Sequence, residues 1–282
     1  MNIQFCTNKH SVNLVLAGLF YLFISSTCRA QDTPPADKNA IAFYNDGLAA
    51  LREKNFKSGF IKLDSAYMLA TQENNAEVLG LAKKNVIFAA FNYGNELLKS
   101  KNAKDALGIY QRGLAIDESS SLMHQGIGKA KEDLGDAEGA AKSYVTALES
   151  AKTEKDEKKI TDAQTRVKNL LIKQLQAKAY SKVIKIGTDY LAIDNVSSIA
   201  YLVGKAYADK GDNTNGIKYL LQTVELSNAE GEKIEDKVYY GLGMAYDAVK
   251  DSKNAIKYLS MVTEPKYKPS ATATIAKLKS SK

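Results

Sequence analysis

Residues able to do acid–base or metal chemistry are few in this sequence, and their spacing suits neither task. Of two histidines and two cysteines (His10, His124, Cys6 and Cys28), only His124 lies beyond residue 30. Zinc and iron sites need three or four converging ligands, which one histidine without thiols does not supply. No D-x-D-x-D-G calcium loop and no G-x-x-x-x-G-K-[ST] phosphate loop occurs, and Gly126-Ile127-Gly128 belongs to no longer motif. The adjacent carboxylates Glu132-Asp133 and Asp156-Glu157 are the sort of pair that hydrolyses glycosides. They sit among lysines on expected exposed helix, without apolar surroundings to hold one acid protonated. The expected chemistry is therefore binding without a cofactor or metal, and an envelope glycan hydrolase is the enzyme alternative. Basic residues alternate with acidic ones rather than with aromatics, which argues against a nucleic-acid partner.

The first thirty residues differ from the rest. Lys9 and His10 precede an apolar run from Val12 to Ile24, then small polar residues and Cys28-Arg29-Ala30. That order predicts a secretory signal peptide over 1–30, cut after Ala30, with a short linker over 31–38. The apolar run is shorter than the roughly 20 residues of a membrane span; an uncut anchor is the alternative. Both cysteines fall in this segment, so the mature chain has no thiol. A lipoprotein reading acylates Cys28, although Ser25-Ser26-Thr27 fits the usual preceding residues poorly. The protein is thus expected to be exported, periplasmic or secreted, with envelope association as the alternative. Removing 1–30 leaves 37 basic against 32 acidic residues, a net charge of +5. After Glu264 come five lysines (Lys266, Lys268, Lys277, Lys279, Lys282) and no acid, a stretch that could touch an anionic surface. Membrane contact is expected only through an uncut leader, a lipidated Cys28 or this tail.

The elements that position these residues follow from a repeat. From Gly94, Ala106 lies twelve residues on, Tyr110 sixteen and Gly113 nineteen. A shift of 34 gives Gly128, Ala140, Tyr144 and Ala147. The template also fits Gly47, Gly59, Leu63 and Ala66; Gly204, Gly216, Leu220 and Thr223; and Gly243, Ala255, Leu259 and Val262. Eight residues after each anchor stands a capping residue: Asn55, Asn102, Asp136, Asp212 or Asp251. A poorer sixth copy is anchored at Leu171, with Val183, Gly187 and Tyr190 at the later offsets and Lys178-Ala179-Tyr180 in place of the turn. Its helices are expected to cross at a different distance. Extra residues around 72–77, 153–159 and 228–232 predict longer helices or loops. All four prolines (Pro34, Pro35, Pro265, Pro269) fall outside the repeats, as uninterrupted helices require.

This pattern resembles the tetratricopeptide repeat, in which a small residue, a Gly-Asp-type turn and an Ala–aromatic–Ala series recur. The best copies are LGDAEGAAKSYVTAL (Leu134 to Leu148) and KNAKDALGIYQRGL (Lys101 to Leu114). The resemblance implies an all-α fold, a right-handed α-solenoid of about six helix-turn-helix repeats. Their expected bounds are about 40–70, 87–118, 121–152, 164–194, 197–228 and 236–263. A C-terminal capping helix and basic tail are expected over 264–282. It also implies a scaffold that binds a protein or peptide partner on the inner face formed by first helices. Positions three and two before each anchor, and one after it, project there. In this sequence they include Tyr44, Asn45 and Leu48; Phe91, Asn92 and Asn95; Gln125 and Lys129; Lys168 and Asn169; Tyr201 and Lys205; Tyr240 and Met244. Aromatics supply apolar area and amides pair with a peptide backbone; for Phe91 and Tyr201 a core role is an equal alternative. The chaperone-tail clamp of the family needs Lys and Asn where Tyr44 and Leu48 stand, and Lys and Arg where Leu122 and Gly126 stand. That function is not expected here.

Overall fold

The computed structural model describes residues 39–280. The expected leader and linker, Cys6, Cys28 and Lys282 lie outside them. Among the described residues are thirteen helices and no strand. They pair as α1 (Ala40–Arg52) with α2 (Phe56–Gln72), α3 (Ala76–Lys99) with α4 (Ala103–Ile116), and α5 (Ser121–Asp133) with α6 (Ala137–Glu154). Next come α7 (Glu157–Gln176) with α8 (Tyr180–Leu191), α9 (Ser197–Asp209) with α10 (Asn213–Glu230), and α11 (Asp236–Ala248) with α12 (Ser252–Leu259). A last helix, α13 (Lys268–Ser280), packs on α12.

The bend inside each hairpin has a local cause. In five of the six, the residue eight after the anchor is the N-cap of the second helix. The side chains of Asn55, Asn102, Asp136, Asp212 and Asp251 each accept the backbone N–H three residues on, at 2.8 to 3.5 Å. Each such cap contributes about 1 kcal/mol. The sixth hairpin has Ala179 at this place and no side-chain cap. Directly before every cap the chain turns through a left-handed residue: Lys54, Lys101, Gly135, Lys178, Gly211 and Lys250, with φ between 57° and 94°. Only two of the six are glycines, so four lysines carry backbone strain there.

Hairpin closure explains the anchor. A Cβ on Gly94 would meet the Tyr110 ring at 2.4 Å, and one on Gly128 would meet Tyr144 at 2.4 Å. Gly47, Gly204 and Gly243 stand equally close to Leu63, Leu220 and Leu259, at 2.6, 2.9 and 2.4 Å. In each case the anchor must be small because the residue sixteen on is large and fully buried. The Leu171 hairpin inverts the pair. Leu171 is buried and Gly187 occupies the large residue's place, its Cβ direction 3.7 Å from Leu171 and only 2.2 Å from Val203 of the next hairpin. These two helices pack on each other less closely than those of the other five hairpins, as the departing size pattern predicts, and the space beside Gly187 is filled by Val203 of the neighbouring repeat.

The uneven spacing resolves mainly into helix length. α3 has 24 residues and α7 has 20, where α1, α5, α9 and α11 have 13 each. The third excess becomes the end of α10 and a short connection to α11. Two hairpins are also latched across their open ends: Glu73 accepts the Ala40 N–H (3.3 Å) and Glu230 the Ser197 N–H (2.9 Å).

Consecutive first helices pack on one another at all five steps, α1–α3 through α9–α11, whereas among second helices only α6 and α8 do so to a comparable extent. The side on which helices lie closer is the inner side of a curved stack. At its C-terminal end, Val262, Leu259 and Ala271 form a small core with Tyr240, Met244, Tyr267 and Ile275 around it. Asp236 holds this closure, accepting the backbone N–H of Glu264 (2.6 Å), that of Thr263, and the Thr263 hydroxyl (3.0 Å). Those bonds from Glu264 and Thr263 keep its carboxyl below the usual range.

Candidate partner-binding face

The first-helix face changes character along the stack. At the N-terminal end it is apolar and open. Leu48, Leu51 and Arg52 of α1 face Lys84, Asn85 and Phe88 of α3 across a hollow of about 420 Å³. Phe88 is 52% exposed although it is a large aromatic, and Ile41 and Leu81 are also exposed. Phe88 is braced edge-on by Phe56, ring centroids 6.2 Å apart. Asn85 donates to the Tyr44 hydroxyl (3.1 Å) and to the Leu81 carbonyl (2.9 Å), tying α3 to α1. Asn92 donates to the Phe88 carbonyl (2.8 Å), and Asn95 accepts from the Tyr110 hydroxyl (2.9 Å). Among the described residues, no side-chain bond is made by the Asn85 and Asn92 carbonyl oxygens or by the Asn95 amide nitrogen.

The middle of the face is polar and largely self-satisfied. Lys129 pairs with Glu132 (3.6 Å) and Asp133 (2.8 Å), and Lys173 pairs with Glu132 (3.1 Å). Glu132 also accepts from the buried Tyr144 hydroxyl at 3.2 Å. Burial, with Glu132 alongside, pushes the Tyr144 phenol well above its ordinary value. Two buried donors have no acceptor here: Nε2 of Gln125, a residue only 4% exposed, and Nε of Arg166. Lys168 and Asn169 are exposed.

Towards the C-terminal end the face closes. Lys237 sits over the Tyr201 ring at 4.9 Å, Tyr201 packs between two core clusters, and burial raises its phenol. Lys205 is engaged by Asp209 at 2.9 Å. Tyr240 and Met244 depart from the groove role expected of them. Tyr240 hydrogen-bonds Ser270 (2.9 Å) and stacks on Tyr267 (5.1 Å), while Met244 borders the core beneath α13. The reason is α13 itself, which lays apolar residues on the end of the stack where a seventh repeat would sit.

Of the other expected positions, Asn45 is exposed, and Tyr44, Leu48, Phe91, Asn92 and Asn95 are half-buried. Phe91 leans on Tyr110, centroids 6.4 Å apart, at the margin of the core that fills α2 to α5. Leu51, Arg52, Lys84, Asn85 and Phe88 were not expected at the face. Their signal was the continued three-and-four spacing along α3, where Leu81, Asn85, Phe88, Asn92 and Asn95 share one side.

His124 is half-buried, its Nε2 at 3.2 Å from the Glu118 carbonyl. No group of three metal-binding side chains occurs among the described residues. Asp156 caps α7, and its bond from the Lys159 N–H (3.1 Å) lowers its pKa. That shift runs opposite to the one a glycosidase acid needs.

Residues 236–262, which are the α11–α12 hairpin and its exit, match the family model of the tetratricopeptide repeat. Four other hairpins repeat its small-against-large closure in register, and the fifth inverts it. The α11–α12 hairpin is a tetratricopeptide repeat. Solved structures similar to this repeat protein include MamA from Desulfovibrio magneticus RS-1, with 19% identity, coverage of 62% of this chain and 92% of that one, and a TM-score of 0.38. Another is YrrB, described as a TPR protein with an unusual peptide-binding site (16% identity, 61% and 82% coverage, TM-score 0.37). A third is Pseudomonas aeruginosa pilF (15% identity, 78% and 88% coverage, TM-score 0.36). No curated protein matches the sequence.

Proposed function

We propose that this repeat protein is an extracytoplasmic scaffold whose first-helix face holds a segment of a protein partner. One observation carries the binding role: the stack leaves apolar and amide side chains uncovered on α1 and α3, around Leu48, Leu51, Phe88, Asn92 and Asn95, while its own α13 covers the other end. A stack that covers one end of a face and leaves the other apolar keeps a contact surface there. Export is supported by the leader pattern and by the absence of cysteine beyond Cys28. No described helix is long and apolar enough to cross a membrane.

Photo-crosslinking side chains at Asn45, Asn92 and Asn169 test the face, with Lys104 and Lys142 on second helices as controls. One recurring partner from the face positions and none from the controls is expected; equal capture from both would sink the reading. Mass spectrometry of the cell-derived protein, expected to begin at Gln31, tests export. A second reading, a membrane-docked subunit of an envelope assembly, is favoured by the run of exposed lysines on α13. Fatty-acid labelling that disappears in Cys28→Ala would support it.

A further inference from the structure

We propose that the hollow between α1 and α3 is a docking notch for an acidic segment of a protein partner, which inserts one large apolar side chain between Leu48, Leu51 and Phe88. The proposal rests on the binding-face reading and adds the chemistry of what binds. The hollow of about 420 Å³ has a size that accepts an aromatic or leucine side chain. Its floor is apolar and its rim carries two cations, Arg52 and Lys84, with no acid among the six lining residues. Neither cation forms an ion pair among the described residues, although the adjacent Lys83 pairs with Asp117 at 3.4 Å. The middle of the face differs, since Lys129 and Lys173 are already held there by Glu132. Unspent positive charge is therefore concentrated at the apolar end, and carboxylates flanking the inserted residue are its complement. Asn85, with both donor bonds directed at Tyr44 and Leu81, turns only an acceptor to the ligand and so takes a backbone N–H.

The notch owes its existence to helix length. α3 begins 18 residues before its anchor, whereas α1, α5, α9 and α11 begin seven before theirs. Its additional N-terminal turns bury Val78 and Ala82 against both α1 and α2, and Val86 joins the core with Phe60 and Leu63 of α2, leaving Lys84 and Phe88 at the hollow.

The test is selection of a random linear peptide library on the full mature chain, followed by fluorescence polarisation with the enriched peptides. Enriched sequences should pair a Phe, Leu or Trp with neighbouring Asp or Glu. Their affinity should fall about tenfold or more in Phe88→Ser and in Arg52→Glu/Lys84→Glu, with a weaker salt dependence in the latter. Phe88 is half-exposed, so both variants should keep the wild-type circular dichroism and melting temperature. Enriched peptides that are basic, or that bind these folded variants as well as wild type, overturn the notch. If their binding is instead lost in Asn169→Ala, the face reading survives without it. No enrichment at all overturns both. Wild-type dimers that Phe88→Ser dissolves assign the hollow to a second copy of the chain and overturn the partner stated here.

Discussion

At the scale of single residues, the repeat is a set of size pairs, and these make sharp predictions. Gly128→Ala drives a methyl into the Tyr144 ring and should cost about 1–3 kcal/mol, the usual range for overpacking. The inverted hairpin separates two explanations. Because the Cβ direction of Gly187 meets Val203 rather than Leu171, Gly187→Ala should be rescued by Val203→Ala and not by Leu171→Ala. Thermal melts of the two double variants check this, and rescue by Leu171→Ala would mean that the hairpin closes like the others. Asp194 is a second residue-scale case. It accepts from Lys152 (2.7 Å), Gln164 (2.9 Å) and Tyr190 (2.9 Å), joining three helices. Its burial favours the neutral acid, but these three bonds outweigh that and hold its carboxyl below the ordinary range. The stability it adds is therefore complete above the unfolded value of about 3.9, and is lost as pH falls through the lower folded value. Asp194→Asn should lower the melting temperature by about 2–4 °C at pH 7, and by progressively less below pH 4.

At the scale of elements, the bends are where the hairpins differ. α8 begins without a side-chain cap, so Ala179→Asp should add about 0.5–1 kcal/mol. The matching loss from Asp251→Ala at the start of α12 should be about 1 kcal/mol. Lys250, left-handed and exposed directly before Asp251, is strained by its Cβ. Lys250→Gly should raise the melting temperature slightly, because relief of about 1 kcal/mol of strain outweighs the added freedom of the unfolded chain. A fall would show that the turn does not need that conformation.

At the scale of the whole molecule, each hairpin touches mainly its neighbours, so the ends matter most. Deleting residues 264–282 uncovers Tyr240, Met244, Leu259 and Val262 and removes the Glu264 N–H, one of the three donors to Asp236. The shortened protein should melt earlier and self-associate in sedimentation, whereas Phe88→Ser should do neither. The two ends of the face thus have different fates. One is covered by the chain's own α13, and the other keeps its apolar side chains exposed.

Architecture was legible in the residues because its determinants are local or periodic. Five caps at one offset, five small anchors sixteen residues before a Tyr or Leu, and prolines confined to the flanks were all readable without coordinates. Which first-helix side chains stay uncovered was legible only in part. A register of three offsets selected Tyr240 and Met244, on which α13 packs, and did not include Phe88 and Arg52, which line the hollow. Those outcomes depend on where α3 gains its extra turns and where α13 lies down, which are contacts between elements far apart in sequence. Helical hairpins follow from a short-range pattern of sizes and caps. Which side of a helix stays uncovered is decided by its neighbours, and that only the tertiary structure settled.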